Sequence, residues 1–378
     1  MKMYYVANAR IPTEKAHGMQ IAKMCEAFIE AGVDVTLVAP RRTTEKRSMR
    51  EYYQLRVDVP VVYVPALDWH RGGRIGYFLA SASFMLSYLF FLWRKKMSGE
   101  KFVLYTVDTD NYSSSALVAV GVPLFSEMHG AKKRTLAQQI LFKKATGIIA
   151  INQIIAHELQ VNFPRSGAQY LVEPNGVDLS SFARMDKKTA RKQLGLPQDV
   201  SIVLYAGRFF EWKGLEILPE AARATPELRW QMVGGTQEEF ERLIKTKLTD
   251  NFFFAGSRPH SEMHVWLAAA DALLVLGTKR DIQSYRYTSP MKLFEYLATS
   301  RPIIASDTPA IREIVSDKEV LFYKPDSVLD LARAVRGAVT HAAELEPRCV
   351  SALLLAHTMS WRSRAERIVR FIEETTCT

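Results

Sequence analysis

The sequence predicts an α/β protein made of two Rossmann-like domains, each built on a parallel sheet. Short apolar runs rich in β-branched and aromatic residues alternate along the whole chain with longer helical stretches. Strands separated by helices pair in parallel through right-handed crossovers. The 378 residues hold more such strands than one compact sheet of mononucleotide-binding size, so we expect two domains.

The first half of the chain supplies the strands of the first expected domain. Its helical stretches include "MQIAKMCEAFIEAG", "SSSALVAVG" and "RTLAQQILFKKA". The apolar runs between them have the length and composition of strands rather than helices. The expected strands are residues 3–8, 34–40, 102–107, 123–130, 147–152 and 169–176.

The second half repeats the same rhythm of strand and helix. Its expected strands are residues 201–207, 230–235, 251–257, 272–277, 302–307 and 320–325. The segment "EPNGVDLSSF" (173–182) between the halves is rich in turn-forming residues and contains Asn-Gly. We therefore expect a first domain over 1–173 and a second over 174–359.

The composition is that of an ordinary globular protein, with 48% hydrophobic and 24% charged residues, which argues against a disordered chain. Three scattered cysteines, Cys25, Cys349 and Cys377, are too few for a disulfide framework or a metal site. The start "MKMYYVANAR" lacks the apolar region of a signal peptide. These features favour a reducing compartment, and we expect the protein in the cytoplasm.

The net charge of +10 is concentrated in the first half. Residues 1–174 hold 22 Lys and Arg against 14 Asp and Glu, a net +8, whereas residues 175–378 hold 28 against 26, a net +2. A basic half suggests an anionic partner such as a membrane surface or a phosphorylated acceptor. Because the chain has no RNP, helix-turn-helix or zinc-finger pattern, nucleic acid is not expected.

One nearly uncharged segment, "YFLASASFMLSYLFFLW" (77–93), is followed by the cations of "RKK" (94–96). Its length lies at the lower limit for a transmembrane helix, and its three serines make it more polar than a typical span. It can be a buried helix of a large domain. It can also be an apolar helix in a membrane interface, where the basic loop 41–50 and the cations at 94–96 meet anionic head groups.

Two cations stand in the loop that follows the expected strand at 201–207. Arg208 and Lys213 belong to "AGRFFEWKG", and doubly wound sheets bind ligands beyond the carboxyl ends of such strands. Two cations in one small volume repel each other unless an anion lies between them. The alternative is that both are solvated and pair with Glu211 or Glu216.

The segment "YTSPMKLFEYLA" (287–298) supplies a second half of the same site. Ser289 fits an N-cap and Pro290 the first helical residue, so the amides of Met291 and Lys292 point out of the helix N-terminus toward an anion. Glu295 then lies about 6 Å further along one face, the distance from a nucleotide's phosphates to its ribose. The alternative is a salt bridge between Glu295 and Lys292. Together the two segments predict a site for a nucleoside diphosphate.

The ordered set of motifs resembles a known family. "PNGVD", "AGRFFEWKGLE", "MVGG", "FFFAGSRPHSEM", "AADALLVL", "SPMKLFEYLATSRPIIASD" and "WRSRAERI" occur in this order and spacing. With them the chain looks like a GT-B glycosyltransferase of the GT4 type, which is retaining, metal-independent and dependent on a nucleotide sugar. The resemblance implies two Rossmann-like domains facing a cleft. It also implies that the last helix (360–378) crosses back to the first domain.

The resemblance implies roles for residues that match the family's motifs. Arg208 and Lys213 match the pair that holds the donor diphosphate, and Glu295 matches the ribose-binding second glutamate of the E-x7-E element. The first glutamate of that element is replaced here by Tyr287, a departure that bears on sugar specificity and on activity itself. Gly18 stands where relatives keep a glycine-rich loop that lets a phosphate or sugar approach the backbone.

Candidate acceptor-side residues follow two strands of the first half. His129 in "SEMHG" matches a histidine that contacts the transferred sugar in relatives, and Glu127 two residues earlier either orients it or meets the acceptor. Asp108 and Asp110 of "DTDN" have the spacing of a divalent-metal motif, but they also suit a turn and an N-cap. Because the GT-B arrangement replaces a metal with cations and helix amides, we expect acceptor contact there and no metal.

The expected reaction transfers a sugar from a nucleotide-diphosphate sugar to an acceptor hydroxyl with retention. The acceptor is expected to be a lipid-linked or cell-surface glycan precursor, and the enzyme to bind the inner face of the membrane peripherally. Two alternatives stay open: a GT-B sugar-nucleotide epimerase, which needs carboxylates for proton abstraction, and an inactive nucleotide-sugar-binding protein, for which Tyr287 is the main argument. A nicotinamide-dependent oxidoreductase needs G-x-G-x-x-G after the first strand, which "HGMQIAK" does not supply.

Overall fold

A computed structural model describes residues 1–42, 45–69, 73–110, 112–182 and 185–377, with Arg74 described by its backbone alone. Thr43 and Thr44 of the basic loop and Asn111 of "DTDN" lie outside the described residues. The chain divides into two compact units. Unit 1 comprises Met1–Pro174 together with Trp361–Thr378, and unit 2 comprises Asn175–Ser360.

Unit 1 is built on a parallel sheet. Its described strands are β1 Lys2–Val6, β2 Asp34–Pro40, β3 Val61–Val64, β4 Val103–Val107, β5 Leu124–Met128, β6 Gly147–Ala150 and β7 Gln169–Val172. They are arranged in the order β3-β2-β1-β4-β5-β6-β7, and every neighbouring pair is parallel. Apolar runs buried on both faces, such as β4 and β5, explain why these segments form inner strands.

Five described α-helices of unit 1 precede unit 2, and three of them begin at residues whose side chains satisfy free backbone amides. They are α1 Ala16–Glu30, α2 Met49–Tyr53, α3 Gly73–Met97, α4 Leu136–Lys144 and α5 Gln153–Asn162. Ser48 and Glu51 form a capping box at the start of α2. Thr135 and Asn152 cap α4 and α5 in the same way with their side-chain oxygens.

Unit 2 repeats this architecture. Its described strands are β8 Ile202–Ala206, β9 Arg229–Val233, β10 Phe252–Phe254, β11 Ala272–Val275, β12 Ile303–Ser306 and β13 Leu321–Tyr323. They are ordered β10-β9-β8-β11-β12-β13 and are parallel throughout. Its helices are α6 Lys187–Leu194, α7 Leu218–Ala224, α8 Gln237–Ile244, α9 Met263–Ala269, α10 Met291–Leu297, α11 Pro309–Arg312, α12 Val328–Thr340 and α13 Glu346–Thr358.

The last helix, α14 Trp361–Thr376, belongs to unit 1 rather than to the unit that precedes it. Its apolar residues Trp361, Ala365, Ile368 and Ile372 recur at helical spacing and are buried, forming the stripe with which α14 packs on α1, β6 and β7. The sequence therefore returns to the first unit after completing the second, as the resemblance implies.

The structure corrects two details of the expected elements. An edge strand, β3, pairs with β2 although the sequence analysis predicts no strand there. The stretch "SSSALVAVG" forms a 3₁₀ helix, Ser115–Val120, rather than an α-helix. Both segments are short, and tertiary packing decides such cases more strongly than local propensity does.

Helix α3 has one buried face and one exposed apolar face. Ala80, Phe84, Tyr88 and Leu92 are completely buried and recur every four residues. On the opposite side, the exposed stripe consists of Ile75, Phe78, Leu79, Leu86, Phe90, Trp93 and Met97. Residues 75–97 are long and apolar enough to cross a membrane, with one third of the most apolar window buried. The buried face agrees with a packed helix of unit 1, and the exposed apolar face is the one that a membrane interface would contact.

The three cations after the apolar segment differ in their surroundings. Lys95 lies 3.4 Å from a carboxylate oxygen of Glu100. Lys96 donates hydrogen bonds to the carbonyl oxygens of Val120 (2.7 Å) and Gly121 (3.1 Å). Both lysines are therefore tied to unit 1, while the guanidinium of Arg94 lies 5.9 Å from the ring centre of Phe90 on the exposed stripe.

Candidate functional site

The loop after β8 carries two of the predicted site cations. Gly207 begins it with a φ of +136°, a conformation that favours glycine. Arg208 is exposed, and Lys213 ends a short 3₁₀ turn, Glu211–Lys213. The Nζ atom of Lys213 donates a hydrogen bond to the carbonyl oxygen of Arg208 at 2.8 Å. The loop thus folds so that both cations stand at the carboxyl end of a central strand, as the sequence predicts.

The described residues do not contain the alternative pairing of these cations with Glu211 or Glu216. Glu216 instead forms a 3.0 Å ion pair with Arg280. Among the described residues neither Arg208 nor Lys213 forms an ion pair with a carboxylate. No carboxylate of the described residues therefore neutralises these two charges.

The structure adds the side chain of a third cation, Lys292, which the sequence analysis considered for its backbone amide and as a salt-bridge partner of Glu295. The ammonium of Lys292 lies 3.6 Å from the ring centre of Tyr205 in β8. A Cβ atom placed on Gly207 would lie 3.1 Å from Nζ of Lys292 and 3.7 Å from Nζ of Lys213. Two ammonium groups therefore flank the bare backbone of Gly207. We call Arg208, Lys213 and Lys292 the cation cluster.

The cluster contains excess positive charge. Burial, and then the charge of Arg208, lowers the pKa of Lys213 from its ordinary value of 10.5 to about 8. Burial and the charge of Lys213 hold the pKa of Lys292 well below its ordinary value, although Glu295 acts in the opposite direction. A bound anion would reverse both effects, because it stabilises the charged form of each lysine.

The start of α10 differs by one residue from the predicted cap. Pro290, not Ser289, is the N-cap, and the helix begins at Met291. The amide of Asn175 donates a hydrogen bond to the carbonyl oxygen of Ser289 at 3.1 Å, so that carbonyl is engaged outside the helix. The amides of Met291 and Lys292 remain the first of the helix, where no intrahelical acceptor exists.

Glu295 pairs with a residue that the sequence analysis did not single out. Its Oε1 atom lies 2.8 Å from Nε2 of His260, whereas the alternative of a salt bridge to Lys292 is replaced by the contact of Lys292 with Tyr205. His260 and Glu295 are 35 residues apart, so no local sequence pattern indicates that they pair. Tyr287 ends a π-helical turn, Gln283–Tyr287, just before α10.

In unit 1, His129 follows β5 and is held from two sides. Its backbone amide donates to Oδ1 of Asp108 at 3.0 Å, and its Nε2 atom lies 2.7 Å from Oε1 of Glu127. The other oxygen of Asp108 pairs with Lys132 at 2.7 Å. Less than a third of the His129 side chain is exposed. Asp108 therefore fixes the backbone of His129, a structural role that the metal and acceptor interpretations did not include.

Glu127 is completely buried in β5, which corrects the suggestion that it meets an acceptor. Its two oxygens accept hydrogen bonds from Gln20, His129, Tyr105 and Arg364. The structure thus favours the other predicted role, in which Glu127 orients His129.

Asp110 acts as a turn residue, one of the two alternatives for "DTDN". Its Oδ1 atom accepts from the amides of Tyr112 and Ser113, each at 2.7 Å, and its Oδ2 atom accepts from the hydroxyl of Ser113 at 2.7 Å. The side-chain amide of Asn8 also donates to Oδ2. The described residues contain no group of three or more metal-binding side chains placed to share an ion.

Gly18 lies in the first turn of α1, and packing explains the absence of a side chain there. A Cβ atom at this position would come within 2.4 Å of the Tyr53 hydroxyl and 2.5 Å of Cγ2 of Thr13. That hydroxyl accepts from the Thr13 amide at 2.7 Å and donates to its carbonyl oxygen at 3.0 Å. In this structure the side chains of Tyr53 and Thr13 fill the space beside Gly18.

The cation cluster lies in a segment that matches a known family. Residues 186–351 match the family described as "Glycosyl transferases group 1". The match lies within unit 2 and covers most of it. Curated relatives include the putative teichuronic acid biosynthesis glycosyltransferase TuaC of Bacillus subtilis (strain 168), which is 24% identical over 80% of this chain and 80% of that protein.

Solved structures establish the fold of the whole chain as GT-B. Sucrose-phosphate synthase from Thermosynechococcus elongatus superposes with a TM-score of 0.77 at 18% identity, over 100% of this chain and 99% of that one. HepE from Anabaena, solved in complex with UDP and glucose, superposes with a TM-score of 0.73 at 16% identity, over 99% and 100%. The predicted pair of Rossmann-like domains and the resemblance to GT4 glycosyltransferases are therefore confirmed.

Proposed function

We propose that this protein transfers a sugar from a nucleotide-diphosphate sugar to an acceptor hydroxyl with retention and without a metal ion. The observation that carries the proposal is the cation cluster. The ammonium groups of Lys213 and Lys292 flank the bare backbone of Gly207, and the charge of Arg208 acts on Lys213. A diphosphate supplies the negative charge that this arrangement lacks, and a bound UDP in the related HepE structure supports the same class of ligand.

The cluster performs two tasks in the proposed reaction. It binds the donor's diphosphate, where Arg208 can form two parallel hydrogen bonds and the lysines act as point charges. As the bond between the anomeric carbon and the diphosphate oxygen breaks, negative charge grows on the leaving group. Fixed cations at that place stabilise the transition state more than the ground state. Glu295 accepts hydrogen bonds from the ribose hydroxyls, which replace its contact with His260.

His129 acts on the sugar side in this proposal. The acceptor hydroxyl attacks on the face that the diphosphate leaves, and its proton passes to a phosphate oxygen, so no protein nucleophile is required. His129 hydrogen-bonds to the transferred sugar and keeps it in place while positive charge develops on the ring. Retention follows from attack and departure on the same face.

A test of the reaction combines nucleotide sugars with candidate acceptor glycans in the presence of EDTA. We expect release of nucleoside diphosphate together with a glycoside of unchanged anomeric configuration. Arg208→Ala should reduce turnover by roughly 10²-fold, while Arg223→Ala, which removes an exposed arginine paired with Glu220 on α7, should leave it unchanged.

Each alternative gives a different result in the same assay. An epimerase converts the donor sugar without forming a glycoside. An inactive binding protein retains nucleotide but releases no product. Activity that EDTA abolishes and Mn²⁺ restores would overturn the metal-independent mechanism.

We further propose that the acceptor is lipid-linked and that unit 1 binds the membrane surface peripherally from the cytoplasm. The exposed apolar stripe of α3 supports this, because a helix with one buried face and one apolar exposed face is suited to lie in a bilayer interface. The net +8 of residues 1–174 adds attraction to anionic lipids. An enzyme that acts on a lipid-linked acceptor gains access to it by such binding.

A further inference from the structure

A buried chain of polar groups in unit 1 connects the last helix to His129. Arg364 on α14 and Glu127 on β5 are each almost completely inaccessible to solvent. Nη2 of Arg364 lies 2.9 Å from Oε1 of Glu127, and Nη1 lies 3.2 Å from Oε2. Oε1 of Glu127 is in turn 2.7 Å from Nε2 of His129. This geometry places a two-pronged ion pair directly behind the histidine.

The ion pair is held rigidly by its surroundings. Nε of Arg364 donates to the carbonyl oxygen of Pro174 at 2.7 Å, and Nη2 donates to that of Glu173 at 3.3 Å. Gln20 of α1 donates to Oε1 of Glu127 at 2.8 Å, and the Tyr105 hydroxyl donates to Oε2. Neither partner can rotate without leaving buried polar groups unpaired.

The environment keeps Glu127 ionised. Burial by itself raises the pKa of this carboxyl, but the charge of Arg364 and the hydrogen bond to His129 outweigh it and hold the pKa at about 2. A carboxylate can only accept hydrogen bonds. The nitrogen of His129 that faces it must therefore carry the proton.

We propose that Arg364 and Glu127 are positioning residues that hold His129 in the tautomer with its proton on Nε2, leaving Nδ1 as a hydrogen-bond acceptor. This inference rests on the proposed function, in which His129 contacts the sugar. Nδ1 can then accept a hydrogen bond from a sugar hydroxyl. The other charged groups near His129 are Asp108, which binds its amide, Lys132 on Asp108, and His17 of α1.

The decisive variant is Glu127→Met, which keeps the approximate length of the side chain but has no oxygen to accept from Nε2 of His129. The Nε2–H tautomer then loses the contact that selects it, so the share of the Nδ1–H tautomer should rise. Glu127→Gln is the conservative partner. Three donors, from Arg364, Gln20 and His129, meet at the place of Oε1, so glutamine should put its oxygen there and keep the proton of His129 on Nε2.

Nitrogen-15 NMR of histidine-labelled protein measures the tautomer directly, and the chain has 8 histidines to assign. We expect the Nε2–H form of His129 in the wild type and in Glu127→Gln, and an increased share of the Nδ1–H form in Glu127→Met. In the kinetic assay we expect kcat of Glu127→Met to fall by about 10²-fold while the donor KM changes little, and Glu127→Gln to restore most of it. Glu127→Met combined with Arg364→Met leaves no buried charge unpaired and should show the same state of His129 as Glu127→Met alone.

Matched controls separate positioning from general destabilisation. Glu26→Gln removes the carboxylate of another buried ion pair of unit 1, Lys23–Glu26 at 2.8 Å, without touching His129. Arg367→Met removes the ion pair of α14 with Glu173 at 2.7 Å. Both should lower thermal stability yet leave the tautomer and kcat as in the wild type.

Three results would overturn the inference: a wild-type His129 with its proton on Nδ1, an unchanged tautomer in Glu127→Met, or a wild-type kcat in that variant. The NMR measurement needs no substrate. If no nucleotide sugar is turned over, the proposed reaction fails, while the tautomer experiment still decides whether Glu127 sets the state of His129.

Discussion

At the scale of single residues, Lys213 shows how a buried positive charge lowers the stability of the folded protein. Its ammonium is held near Arg208 by a hydrogen bond to the Arg208 carbonyl oxygen, and its pKa falls to about 8. A group whose pKa is lower in the folded state binds fewer protons there than in the unfolded chain. The folded state therefore loses stability below the unfolded pKa, and this loss is complete below about pH 8.

This difference between the folded and unfolded pKa of Lys213 predicts how Lys213→Met changes the thermal stability. At pH 7 the variant should unfold at a temperature about 2 °C or more above the wild type, because it lacks the buried ammonium that Arg208 repels. The difference should shrink as the pH rises from about 8 through 10.5, because above 10.5 the wild-type amine is mostly neutral in both the folded and the unfolded state. Differential scanning calorimetry across this range measures it, with Lys318→Met at an exposed site as the control. A variant less stable than the wild type at pH 7 would contradict the prediction.

At the scale of elements, α3 has a buried apolar stripe and an exposed apolar stripe on opposite faces. One stripe, which includes Phe84 and Tyr88, packs into unit 1, and the opposite stripe, which includes Leu86 and Phe90, is exposed. A helix that is apolar on every side gives no periodic signal, so sequence analysis cannot separate the two faces. Only the packed structure identifies which residues face outward.

The exposed stripe predicts reversible binding to anionic vesicles. Leu86→Gln with Phe90→Gln should reduce cosedimentation several-fold, because apolar insertion and charge attraction are each marginal alone. The matched control is Leu136→Gln with Ile140→Gln, which removes two exposed apolar side chains one turn apart on α4.

Binding should also weaken as salt screens the basic residues. Replacing Arg94 tests the charge contribution more cleanly than replacing Lys95 or Lys96, since those two lysines bind groups of unit 1. Equal sedimentation of the wild type with anionic and neutral vesicles, or none with either, would exclude this role for α3.

At the scale of the whole molecule, much of the architecture could be predicted from sequence because it depends on repeating patterns. Alternating strands and helices predict two parallel sheets, and the loop after β8 predicts the place of Arg208 and Lys213. The contacts that refine the site join residues far apart in sequence, such as Glu127 with Arg364 and His260 with Glu295. No local spacing encodes those pairs, so they could not be predicted.

Ligand binding should raise the stability of the folded molecule as a whole. We expect one of UDP, GDP and ADP to raise the melting temperature by a few degrees at saturating concentration in the presence of EDTA, since a ligand that binds only the folded state stabilises it. The preferred base identifies the donor. Arg208→Ala should abolish the shift, and an unchanged shift in that variant would remove Arg208 from the binding site.

The return of α14 to unit 1 has a consequence for how the protein is made. Domains generally fold from the N-terminus while the ribosome is still synthesising the chain. Glu127 emerges more than two hundred residues before Arg364, its counter-charge (237 positions separate them). Until the ribosome has passed α14, the nascent first unit contains a buried carboxyl without its cation. The contacts that orient His129 are therefore completed last, and a chain whose translation stops after unit 2 would have all three residues of the cation cluster but would lack the arginine that pairs with Glu127.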